Sequence, residues 1–115
     1  MTLIISKTEL NTVIKEYIKE IKEILETDFE EAVIYGSYAR GEYSEESDID
    51  IAVFTSRKTE DFYLLINKIS EVTFEYNVKY DVILSPVFQN TNDFNRMMKF
   101  VPYFQSIKKE GVLIG

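Results

Sequence analysis

The sequence predicts an α/β (α+β) fold, a small β-sheet with helices packed against it, as one domain over residues 1–115. Two observations carry this. Long segments with apolar residues three and four apart alternate with short apolar runs of strand type. Hydrophobic residues make up 45% of the 115 residues, and this length is enough for a real hydrophobic core in one domain.

Each element has its own signal. Leu10, Val13, Ile14, Tyr17, Ile18, Ile21, Ile24 and Leu25 set a helical stripe through a segment from Ser6 to Glu26, with Ser6 and Glu9 spaced as a capping box. Ala32-Val33-Ile34-Tyr35 reads as a strand ended by Gly36, and Ser37 to Arg40 as a short helix. From Asp48 to Phe54 the residues alternate, with Asp48, Asp50 and Ala52 on one side and Ile49, Ile51 and Val53 on the other. This pattern predicts a strand with one buried face. Thr59 is placed to cap a second long helix, with Phe62, Leu65, Ile66, Ile69 and Val72 inward. Lys79 to Leu84 reads as a third strand, stopped by Ser85-Pro86. Asn90 to Lys109 reads as helix interrupted at Pro102, and residues 111–114 as a short last strand. The pattern leaves strand pairing open.

Composition narrows the chemistry. There is no cysteine, so disulfides and thiolate metal sites are excluded. There is no histidine either, which removes the commonest general base and every Ser-His arrangement. Acid–base or metal work falls to carboxylates, which favour hard ions such as Mg²⁺. The formal charge of −7 argues against a broad nucleic-acid footprint, so an anionic ligand must be recruited locally. No apolar stretch has the length of a membrane span or a secretory signal, and the expected compartment is cytoplasmic.

Asp48 and Asp50 stand two apart on one strand face, about 7 Å along the backbone. Two ionised carboxylates there repel, and a divalent cation between them removes the conflict. Alone, Asp-x-Asp is also an ordinary pattern on a solvated edge strand. Gly36 lets the backbone approach a ligand closely, and Ser37 opens the next segment, where free N–H groups and a hydroxyl can hold phosphate oxygens. A simple turn has the same look, and the segment lacks the second glycine and the lysine of a Walker loop. Asp81, at the start of Val82-Ile83-Leu84, has the look of an ordinary solvated strand end, but it joins the pair if the third strand lies beside the second. It is then the best-placed group to take a proton from an attacking hydroxyl. Arg40, four residues past Gly36, reaches a triphosphate or pairs with Glu42, Glu45 or Glu46. Ser47 is read as a turn cap, Lys79 as a surface residue, and Tyr35 and Tyr38 as core or rim aromatics.

Taken together, Gly36-Ser37, ten intervening residues and Asp48-Ile49-Asp50, with apolar runs before and after, resemble the signature of the DNA polymerase β-type nucleotidyltransferase superfamily. Ser37-Tyr38-Ala39-Arg40-Gly41, Ser47-Asp48 and the ending from Tyr103 to Val112 are similar to its minimal nucleotidyltransferase (MNT) family, across nearly the whole chain.

The resemblance implies a small mixed sheet and a definite reaction, attack of an acceptor hydroxyl on the α-phosphorus of ATP with release of pyrophosphate. It implies that Gly36 and Ser37 hold the β- and γ-phosphates. It also implies that Asp48 and Asp50, joined by Asp81, bind two Mg²⁺ ions, and that Asp81 activates the acceptor. Minimal members of the family are paired with HEPN-domain proteins in toxin–antitoxin systems. The implied acceptor is therefore a tyrosine of a HEPN-type partner in a hetero-oligomer. Two alternatives stay open, a non-catalytic antitoxin that masks its partner, and transfer to a small molecule or RNA.

Overall fold

The computed structural model describes residues 7–41 and 48–114. In chain order the elements are α1 (Lys7–Leu25), β1 (Phe29–Tyr35), α2 (Ser37–Arg40), β2 (Ile49–Thr55), α3 (Ile66–Tyr80), β3 (Leu84–Asn90), α4 (Thr91–Met97), α5 (Pro102–Glu110) and β4 (Val112–Leu113). Turns of 3-10 helix lie at Glu26–Asp28 and Thr59–Leu64. The expected Ser6–Glu9 capping box falls partly outside the described residues.

The four strands form one mixed sheet in the order β3-β2-β1-β4. β1 runs antiparallel to β2 and β4, and β2 runs parallel to β3. One face of the sheet carries Ala32, Ile34, Ile49, Ile51, Val53 and Leu84. It packs on the apolar stripe of α1 and on Ile69 of α3. Tyr17, Ile18 and Ile21 of that stripe are almost wholly buried, as its three-and-four spacing requires.

The other face is buried as well. Tyr35, Ala52 and Phe54 pack on Phe94 of α4 and Ile107 of α5. Phe94 meets Phe54 edge-on, with ring centroids 4.8 Å apart, and stacks on Phe104 at 4.7 Å. The expectation that β2 has one buried face is thus corrected. On this face only Asp50, at the start of the strand, stays partly open, because α4 and α5 cover the rest.

Two other expectations fail for local reasons. Thr59 opens a 3-10 turn, and the helix proper starts at Ile66, whose side chain faces solvent. The third strand is Leu84–Asn90 rather than Lys79–Leu84, with Pro86 inside it opposite Ile51. β3 is an edge strand, and one side of an edge backbone needs no partner, so a residue without an N–H is tolerated there. The chain before it stays helical to Tyr80. Asn77 then ties the turn: its carbonyl accepts from Val82 N–H at 3.2 Å, and its Oδ1 accepts from Leu84 N–H at 2.8 Å.

Candidate active site

Strand pairing assembles the site. β1 and β2 place Tyr35 directly opposite Asp50, so both side chains leave the same face of the sheet. The next residue, Gly36, turns the chain with φ 75° and ψ −152°, a conformation open in practice to glycine alone. A β-carbon on Gly36 would lie 2.5 Å from Asp50 Oδ2. The bend and the acid pair expected from the sequence therefore touch.

Beyond the bend, Ser37 starts α2, whose N–H groups in the first turn have no partners within the helix. Ser37 is half-buried. Arg40 N–H closes the turn on Gly36 carbonyl at 3.1 Å. The Arg40 guanidinium donates to Glu110 Oε2 of α5 at 3.0 Å. The pairings considered for Arg40 with Glu42, Glu45 or Glu46, and the capping role of Ser47, lie outside the described residues.

Asp48 is exposed at the mouth, just before β2. The Asp50 carboxyl is raised above its ordinary 3.8. Partial burial is the main cause, the Asp48 charge adds to it, and Arg40 opposes it. Two acids and one cation thus share one field. A hard divalent ion fits this donor set, since it would relieve the repulsion that raises Asp50. Asp48 and Asp50 are the residues that could hold it.

Asp81 is not brought to them. It ends α3 in the left-handed conformation, φ 52° and ψ 49°, with an exposed side chain. Among the described residues, no three Asp, Glu, His or Cys side chains gather into a group that could hold a metal. The expectation of a third carboxylate on a neighbouring strand is corrected here. The strand starts at Leu84 instead of Lys79, five residues later than expected, so Asp81 belongs to the turn before it. Lys79, in the last turn of α3, lies over the Tyr80 ring.

Two contacts escaped the sequence reading. The Tyr35 hydroxyl hydrogen-bonds to the Tyr103 hydroxyl, and Glu110 binds Arg40. Both join α5 to the site across some 70 residues of sequence, a separation that no local pattern can signal. Burial and the bond to Tyr103 push the Tyr35 hydroxyl well above the usual tyrosine range, with a smaller push from the Asp50 charge.

Residues 14–113 match the model of the nucleotidyltransferase domain. The chain belongs to the nucleotidyltransferase-domain family. This nucleotidyltransferase is 37% identical over 79 residues to a proposed protein adenylyltransferase of Methanocaldococcus jannaschii, covering 69% of the chain and 78% of the relative. Its fold is similar to that of a proposed nucleotidyltransferase from Sulfolobus solfataricus. The TM-score is 0.60 at 22% identity, over 90% of this chain and 77% of that one. It is also similar to a chain of a toxin–antitoxin structure determined with AMP-PNP. There the TM-score is 0.55 at 16% identity, over 88% of this chain and 72% of the other. The family confirms the expected reaction class. No helix among the described residues is long and apolar enough to cross a membrane.

Proposed function

We propose that this nucleotidyltransferase transfers AMP from ATP to a hydroxyl of a protein partner, with Mg²⁺ at Asp48 and Asp50. The observation that carries the reading is the closeness of Gly36 to the Asp50 carboxylate, which supports a phosphate-binding bend working beside that acid. The Methanocaldococcus relative, by its name, supports a protein acceptor and adenylyl transfer. The toxin–antitoxin neighbour with its ATP analogue supports a toxin partner. That the partner is of HEPN type, accepting AMP on a tyrosine, rests on the MNT resemblance.

The residues divide the work. Gly36 keeps the bend clear of a side chain, so that phosphate oxygens can approach the backbone N–H groups opening α2. Ser37 adds a hydroxyl at that position. Arg40 holds positive charge beside Asp50 and faces an incoming triphosphate. Asp48 and Asp50 would hold the metal, which when bound stabilises charge on the attacking and leaving oxygens. In its observed position, Asp81 is assigned neither a metal nor a proton.

The test is incubation with α-labelled ATP, Mg²⁺ and the protein encoded beside this chain. Label should move to the partner and be lost with the Asp48→Asn, Asp50→Asn double variant. Equal labelling by that variant would overturn the mechanism. Neutralisation of the partner that survives the double substitution would favour a masking subunit instead.

A further inference from the structure

We propose that this nucleotidyltransferase also modifies itself, with the hydroxyl of Tyr103 as an adenylyl acceptor in the chain's own site. The inference rests on the reading of the site given above.

Tyr35 and Asp50 are a cross-strand pair, so the tyrosine ring rises from the sheet beside the carboxylate. The ring is buried at 5% exposure and its hydroxyl meets that of Tyr103, with the rings edge-on at 5.8 Å. Tyr103 lies in the first turn of α5 and is 50% exposed. The pair therefore leads from the cross-strand neighbour of Asp50 to a tyrosine that is half exposed. Glu110, at the other end of α5, is bound to Arg40. The helix is thus anchored at both ends, by Tyr103 to the cross-strand neighbour of Asp50 and by Glu110 to Arg40, without any partner chain.

In the step, Tyr103 Oη bonds to the α-phosphorus of ATP. The bond from the α-phosphorus to the bridging oxygen breaks, and its electron pair leaves with pyrophosphate. The phenolic proton is released to solvent at the exposed edge. The product carries a phosphodiester anion beside Asp48 and Asp50, where it repels a second triphosphate. Self-modification therefore limits its own site.

Tyr63 serves as an internal control. It is 70% exposed, but it lies in the 3-10 turn that follows the far end of β2 from Asp50.

The experiment incubates the purified full chain with ATP and Mg²⁺ and maps AMP by intact mass and peptide mass spectrometry. We expect one AMP per chain, on the Tyr103 peptide and absent from Tyr63, with a labelled fraction unchanged on dilution. Tyr103→Phe should lose the label; if that variant does not fold, the wild-type peptide map decides alone. AMP on another residue, or labelling that slows on dilution, overturns the proposal. The Mg²⁺–ATP shift in wild-type melting temperature is measured in parallel. A shift without label rejects self-modification and leaves the site's reading standing, whereas absence of both rejects the two together.

Discussion

The Gly36 α-carbon rests against the Asp50 carboxylate so closely that a β-carbon there would meet Oδ2 at 2.5 Å. The same glycine has φ 75° and ψ −152°, so substitution is opposed by backbone strain and by the clash together. Gly36→Ala should cost about 1–3 kcal/mol from the backbone alone, with the displaced carboxylate adding to it. Urea denaturation measures the total. Truncating the acid as well, in Gly36→Ala with Asp50→Ala, should recover the part due to the clash and leave the part due to φ. Full recovery would show that the backbone is relaxed at this bend.

Asp50 sets a pH dependence. Its folded carboxyl is raised above 3.8 by partial burial and by Asp48, with Arg40 opposing. Near and below pH 3.8 the carboxyl holds its proton in the folded chain, and the stability linked to that proton is present. This stability is lost as pH rises through the folded value, because the folded chain must then ionise a group that the unfolded chain ionises more readily. Without metal, Asp50→Asn should therefore melt higher than wild type at neutral pH, with the gap closing in acid. Mg²⁺ should narrow the gap at neutral pH by stabilising the wild-type carboxylate. A gap that widens on acidification would contradict this assignment.

Much of the fold and site was legible because its signals are local. The stripe of α1, the existence of β2 and the order Gly36-Ser37, Asp48, Asp50 are each set by neighbours in sequence, and the elements appear close to where the residues put them. β3 was misplaced because proline was read as a strand stop, whereas an edge position removes that constraint. The burial of Ala52 and Phe54 was missed because it depends on α4 and α5 folding back over the sheet. Tyr103 and Glu110 were invisible as site residues for the same reason, since their partners are distant in the chain.

Asp81 separates the family expectation from the observed geometry. It is an exposed αL residue, and asparagine takes that conformation readily. Asp81→Asn should keep both wild-type stability and the rise in melting temperature with Mg²⁺ and ATP. Preferential binding to the folded state contributes about 2.7 kcal/mol at a ligand concentration a hundred times Kd. Asp48→Asn should lose most of that rise. A comparable loss in Asp81→Asn would return this carboxylate to the metal site, through a rearrangement of residues 81–83 onto β3.

Tyr17 tests the opposite face of the sheet. Its side chain is fully buried, lies edge-on to Tyr76 at 5.5 Å, and its hydroxyl is 2.7 Å from Thr73 Oγ1. Thr73 spends its own proton on the Ile69 carbonyl at 2.8 Å, so Tyr17 is the donor in this pair. Tyr17→Phe removes that donor and should cost about 1 kcal/mol at neutral pH. Burial pushes the Tyr17 hydroxyl up to about 12 from 10.0, with the Thr73 bond opposing. The unfolded chain therefore ionises this tyrosine first, and the stability held by its proton is present below pH 10.0 and lost as pH rises toward about 12. Wild type should lose stability more steeply than Tyr17→Phe across that window, so the two urea midpoints converge in alkali. Midpoints that stay parallel would mean that the hydroxyl is hydrated and that α1 does not seal against α3.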